Sequence, residues 1–113
     1  MNRYIALYCA PLAVAERFAQ ATPDEAAAGV QLWVDWIERL GPALVDPGKP
    51  LGNAVQITSA GVAPTQSRII GMSILQANAM DDALEMVRDH HHLTWAEDCE
   101  IVLLEEMDIP EMQ

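Results

Sequence analysis

The chain has 113 residues, 51% of them hydrophobic, and carries six basic against seventeen acidic side chains, a net charge of −11. That length suits one domain with one core. The acidity, and the scatter of Arg3, Arg17, Arg39, Lys49, Arg68 and Arg88, exclude nucleic acid and anionic membrane surfaces as expected partners, because both need clustered cations.

No apolar stretch reaches the roughly 18 residues of a membrane span. Cys9 and Cys99 lack Cys-x-x-Cys spacing, so neither a disulfide framework nor a zinc knuckle is indicated, and reduced thiols in a cytoplasmic protein are expected. Residues 4–14, ahead of Ala13-Val14-Ala15, faintly imitate a leader peptide. Pro11 interrupts that run and one basic residue precedes it, so export is not expected.

Residues 3–9, rich in Tyr, Ile and Leu and stopped by Pro11, predict a strand. Residues 14–21 predict a short helical turn with Val14 and Phe18 on one side. The clearest boundary is Thr22-Pro23-Asp24-Glu25: an N-cap Thr, Pro at the first helical position and Glu three residues after the cap. Val30, Trp33, Val34, Ile37 and Leu40 keep helical spacing until Gly41 ends the helix. Leu32 and Trp36 widen its apolar face beyond one stripe. Such a helix has to meet a sheet and something more, such as a partner subunit.

Residues 43–45 predict a second strand, which runs into the turn-rich Asp46-Pro47-Gly48-Lys49-Pro50. Residues 53–59 form a weak strand candidate and 60–67 a loop. Residues 68–76 make a stronger strand with Ile70, Met72 and Ile74 on one face. Gly71 marks a bulge or a close approach of another group. Asn78 is placed to cap a helix whose Ala83, Leu84 and Val87 form the buried stripe, with Asp81 and Asp82 favoured by the dipole in its first turn. Residues 100–104 predict the last strand, and 105–113 an acidic, solvated tail. The order β-α-β-β-α-β belongs to the split βαβ motifs and an α+β fold.

Four segments then align into one pattern. They are Arg3-Tyr4-Ile5-Ala6-Leu7-Tyr8; Ala43-Leu44-Val45-Asp46-Pro47-Gly48 with Pro50-Leu51-Gly52; Gly71-Met72-Ser73-Ile74-Leu75-Gln76; and His90-His91-His92-Leu93 before Cys99-Glu100-Ile101. Together they resemble the YCII-related family, which includes the DGPF-type proteins. The resemblance spans nearly the whole chain as a pattern, with no single diagnostic motif. It implies a ferredoxin-like antiparallel sheet in the order 4-1-3-2, with two copies pairing into a dimeric α+β barrel. Relatives of that barrel include muconolactone isomerase-type enzymes and small monooxygenases.

Three departures matter. The Asp-Gly-Pro-Phe run is replaced by Ala63-Pro64-Thr65-Gln66-Ser67. Some members carry a His in the helix corresponding to residues 23–40, paired with an Asp as a catalytic dyad; this chain has no His there. His91 stands where relatives prefer Pro.

In a ferredoxin-like sheet the end of the first strand lies beside the start of the last, and the second helix returns to that same end. Tyr8, Cys9, His90, His92, Trp95 and Cys99 are therefore expected at one rim, with Asp46 and Arg68 facing it. On a functional reading, His92 is the general acid or base and Asp46 orients it or shares its proton. Arg68 holds an anionic group, and Tyr8, His90 and Trp95 line a substrate pocket between sheet and helices.

On a structural reading, the His run caps a helix C-terminus and Asp46 shapes a turn. Trp33 and Trp36 are then core or dimer contacts, and the cysteines are packed thiols. No metal site is expected, because consecutive helical residues splay apart and no carboxylate completes a ligand set. No cofactor is expected either. Two functions follow: a small isomerase or lyase using His/Asp acid–base chemistry, or a non-catalytic metabolite-binding or accessory module. A homodimer with a small-molecule ligand is expected in both.

Overall fold

The computed structural model describes residues 1–110, apart from the side chains of Phe18 and Ala19. The expected pairing of Phe18 with Val14, and the end of the acidic tail, lie outside the described residues. The strands are β1 (Asn2–Cys9), β2 (Leu44–Asp46), β3 (Val55–Thr58), β4 (Gly61–Pro64), β5 (Ile69–Ala77) and β6 (Glu100–Glu105). The helices are α1 (Leu12–Ala19), α2 (Pro23–Leu40) and α3 (Met80–Val87). One antiparallel sheet has the order β2-β5-β1-β6, and β3 and β4 form a separate hairpin. With that hairpin set aside, the order is the expected 4-1-3-2.

The sequence signals act locally as chemistry requires. Thr22 Oγ1 accepts from the Glu25 N–H at 3.2 Å while Glu25 Oε1 accepts from the Thr22 N–H at 3.3 Å, closing the capping box. Gly41, at φ +55, ends α2 and donates to the Ile37 carbonyl. In β1, Tyr4, Ala6 and Tyr8 are buried towards the helices, and Ile5 and Leu7 take the outer face.

β5 inverts the simplest reading of its composition. Its buried side is Gly71, Ser73, Leu75 and Ala77, while the bulky Met72 and Ile74 face outward, half-buried. Small residues are needed inside: a Cβ on Gly71 would meet the Tyr8 ring at 3.3 Å, and α3 lies directly against β5 and β1. Gly71 thus marks both expected features, a close approach and a register slip between Tyr8 and Cys9. α2 reaches the sheet through large side chains, Trp33, Trp36 and Ile37. Trp36 also donates Nε1–H to the Met86 carbonyl at 3.0 Å, tying α2 to α3.

Several boundaries differ from expectation. Part of the expected 60–67 loop is strand β4, which pairs Val62 with Ile57 and Gly61 with Thr58. Gly61 and Pro64 suppress the strand signal, yet at an edge Pro costs no ladder bond it would otherwise donate. α3 begins at Met80 with Ala79 at its N-cap and no side-chain cap, so Asn78 stands one residue too early. β2 starts at Leu44, and the first helical turn covers Leu12–Ala19. After β6, the Glu106 N–H donates to the Arg3 carbonyl at 2.9 Å, and the Glu106 carboxylate lies 3.6 Å from Arg3 Nε. Among the described residues, no helix is long and apolar enough to cross a membrane.

Candidate functional site

A largely apolar cavity of about 610 Å³ opens between α2, the adjoining ends of β1 and β5, and residues 47–51. Tyr8, Trp33, Val34, Lys49, His92 and Trp95 are among its lining residues. The 47–51 wall is fastened by backbone chemistry. Asp46 Oδ1 accepts from the Gly48 N–H at 2.8 Å, and Leu51 N–H donates to the Ile70 carbonyl at 2.9 Å. Gly48 sits at φ +80, and a Cβ there would fall 1.5 Å from the Met72 carbonyl oxygen, so only glycine fits.

Ser73 joins this wall to the sheet. Its hydroxyl donates to the Pro47 carbonyl at 2.7 Å, so at 2.8 Å from the Tyr8 hydroxyl it can only accept. Tyr8 is therefore committed as a donor. Burial pushes its pKa up to about 12, with the Ser73 bond opposing that rise, and it stays a neutral phenol.

The histidines occupy a separate short turn. α3 stops at Val87, and His91–Thr94 form a 3₁₀ turn whose N-cap is His90. His90 Nδ1 accepts from the His92 N–H at 3.0 Å. The expected role, histidines donating to the last carbonyls of a helix, is thus reversed: these residues begin a turn, where free N–H groups need an acceptor. Burial drops the His90 pKa to about 3, with His91, His92 and Arg39 adding to the effect, so the ring is neutral and carries its proton on Nε2. Burial and His92 lower His91 as well.

His92, 1% exposed, lies 2.9 Å through Nε2 from the Cys9 carbonyl oxygen. A carbonyl only accepts, so Nε2 holds the proton and a neutral His92 keeps its lone pair on Nδ1. Aromatic rings enclose this region. Tyr8 is 5.5 Å from His92 and 5.1 Å from Trp33 between centroids, and Trp95 is 5.3 Å from His92.

Tyr8, His92 and Trp95 come together in one wall, with the Cys9 carbonyl behind His92 and Cys99 one residue from Glu100, the register partner of Cys9. Both cysteines are buried and free, and burial is the main cause raising each thiol pKa. His90 packs 5.0 Å from Tyr8 but borders a different recess.

Asp46 and Arg68 do not line the cavity. The Asp-Pro-Gly reversal turns the Asp46 carboxylate onto its own loop. Arg68 is drawn to the strand beside it, 2.9 Å from the Glu100 carboxylate and 3.0 Å from the Asp98 carbonyl. The cation in the lining is Lys49 instead. Trp33 and Ser73 were also not placed here by sequence: helical spacing gives Trp33 as core, and a lone Ser on a strand carries no signal. Among the described residues no acidic side chain lines the cavity, and no group of three metal-ligating side chains exists.

No model of a known protein family matches the sequence, and no curated protein matches it. Among solved structures, the chain is similar to 5-chloro-2-hydroxyhydroquinone dehydrochlorinase (TftG) from Burkholderia phenoliruptrix AC1100, in its complex with 2,5-dihydroxybenzoquinone. The match has a TM-score of 0.52 and 17% identity over 98% of each chain. At that identity the likeness is one of fold: an α+β domain with a four-stranded antiparallel sheet and helices.

Proposed function

We propose that the chain is a YCII-related protein of the dimeric α+β barrel group, in which each cavity holds a small hydroxylated ring for an isomerase or lyase step. The observation that carries this reading is His92, set in an aromatic, mostly apolar wall with Nε2 held on the Cys9 carbonyl. That bond leaves Nδ1 as the proton acceptor. Tyr8, Trp33 and Trp95 offer faces and edges to a flat ring, and Lys49 suits an anionic substituent.

In the lyase form, His92 takes one ring hydroxyl proton and returns it to the ring carbon that bears the leaving group; loss of a second hydroxyl proton then expels that group with its bonding electrons. The hydroxylated ring becomes a quinone and one equivalent of acid is released. The fold likeness to a dehydrochlorinase supports that substrate class. Two free, buried thiols fit a reducing, cytoplasmic setting.

Pairing of two copies has its own support. On the outer sheet face, Met72, Leu7 and Val102 form one cross-strand row and Ile74, Ile5 and Leu104 another, with Val102 40% and Leu104 47% exposed. The chain exposes 7987 Å², against about 6,100 Å² for a compact monomer of its mass. A second copy on this face would remove such an excess.

Among the described residues no acidic side chain lines the cavity, which favours a second reading, binding without turnover. One experiment separates the two. The purified protein is incubated without oxygen with halogenated trihydroxybenzenes, and halide and quinone absorbance are followed. Release above the blank, lost in His92→Gln, supports the enzyme. A rise in Tm with no product supports the binding module. Neither response removes the cavity from consideration.

A further inference from the structure

The β3–β4 hairpin stands apart from the core. Every residue of both strands is exposed, Ile57 by 74% and Val62 by 69%. The ladder sets Val55 opposite Pro64 and Ile57 opposite Val62, with Gln56 opposite Ala63 and Thr58 opposite Gly61. Side chains alternate along a strand and opposite residues share a face, so Val55, Ile57, Val62 and Pro64 make one apolar face. A two-stranded hairpin is marginal in water unless something covers such a face.

Its own chain leaves that face bare. The Leu51 N–H is held on the Ile70 carbonyl, and the Thr65 N–H donates to the Ala54 carbonyl at 3.1 Å. Only Gly52 and Asn53 therefore separate the cavity wall from the base of the hairpin. On the return side, Gln66 and Ser67 lead to Arg68, whose carbonyl accepts from the Ala10 N–H at 2.8 Å. Links this short hold the hairpin out from the body. The radius of gyration, 15.8 Å, exceeds the roughly 13 Å of a compact domain of this length.

Charge indicates what covers it. Residues 50–67 carry no charged side chain, in a chain whose net charge is −11. Two copies repel where their carboxylates meet, so a projecting uncharged segment is where they can approach. A hollow to receive it lies on the same chain. Val30, Val34 and Leu51 are exposed at the cavity mouth, and Lys49 is the one charged residue of the lining among the described residues. A protruding apolar face and an apolar hollow on one chain satisfy each other twice across a two-fold axis.

We propose that the β3–β4 hairpin of one copy closes the cavity of a second copy, laying Val55, Ile57 and Val62 against Val30, Val34 and Leu51 at its mouth. Each cavity is then built from two chains. Four hairpin side chains cannot supply the roughly 800 Å² per partner that a stable interface takes, so this docking rests on the pairing through the outer sheet face and adds to it.

The test replaces Ile57 in the full chain by the photo-crosslinker p-benzoylphenylalanine and maps the adducts by mass spectrometry. A covalent dimer is expected, joining position 57 of one copy to residues 30–34 or Leu51 of the other. Ile57→Lys should weaken the dimer about tenfold on dilution. It should also raise acrylamide quenching of tryptophan fluorescence, because Trp33 and Trp95 line the cavity. Gln56→Lys, on the opposite face of the hairpin, should do neither. Adducts confined to one chain or to the outer sheet face would overturn the proposal, as would equal effects of Ile57→Lys and Gln56→Lys. A dimeric wild type that yields no covalent dimer overturns the docking alone, whereas a monomeric wild type overturns the pairing as well.

Discussion

His92 Nε2 and the carbonyl oxygen of Cys9 lie 2.9 Å apart, where β1 slips register against β5. One bond thus fixes a tautomer and ties the histidine turn to the end of β1. His92→Ala removes that bond and should lower unfolding free energy by about 0.5–1.5 kcal/mol in a urea titration. His92→Gln carries an amide N–H to the same carbonyl and should recover much of that loss. Both variants lack the proton-accepting nitrogen, so turnover of any cavity substrate should fall about 10²–10⁴-fold in each. Stability restored without activity would separate the two roles of one ring.

The buried His90 makes a pH prediction. Its folded pKa of about 3 lies below the ordinary value of 6.5, so the unfolded chain binds the extra proton first. Stability contributed by neutral His90 is complete above pH 6.5 and drains away as pH falls towards 3. Between pH 6.5 and 5 the loss from this group is about 2 kcal/mol. His91, lowered in the same direction, adds to it. His90→Asn retains a cap acceptor without the titration, so its Tm should fall less than wild type between pH 7 and 5. Parallel acid profiles for the two proteins would remove His90 as the cause.

Gly48 and Ser73 hold the cavity wall. Gly48→Ala forces a Cβ to 1.5 Å from the Met72 carbonyl oxygen at φ +80, and should destabilise the protein by about 2 kcal/mol or more. Ser73→Ala strips the Pro47 carbonyl of its donor and the Tyr8 hydroxyl of its acceptor, both within the buried region. About 2–4 kcal/mol of loss is expected. Hydrogen exchange at Leu51, whose N–H bonds the Ile70 carbonyl, should speed up in both variants. Protection equal to wild type would show that the wall is held elsewhere.

The outer face of the sheet supports an assembly prediction. Leu7→Lys places a charge in the middle of the Met72–Leu7–Val102 row, and Val102→Lys places one at its β6 end. In light-scattering chromatography, a wild-type dimer should become a monomer in either variant, with little change in far-ultraviolet circular dichroism. A dimer that survives both substitutions would place the contact elsewhere on the molecule.

Much of the fold was legible because its signals are local. The Thr22 capping box, the helical spacing of Val30 through Leu40, Gly41, and the alternation in β1 each act through hydrogen bonds or burial within a few residues. β4 was missed because Gly61 and Pro64 mask strand propensity, although pairing with Val55–Thr58 overrides it. The rim that gathers Tyr8, Cys9, His92, Trp95 and Cys99 follows from antiparallel order, which a strand count supplies. What the sequence determined by itself was this α+β layout and its collection of imidazole and aromatic side chains at one end.

The directions of the side chains were a tertiary matter. Asp46 turned onto its own loop and Arg68 onto Glu100, so neither joined His92, and Lys49 entered the lining instead. Whether an imidazole donates or accepts depends on which backbone group lies within 3 Å. That was decided only when α3 ended at Val87 and left His90 at the start of a new turn. Hydrogen bonds and close packing are set by distances of ångströms between residues far apart in the chain, and spacing along the chain does not encode them.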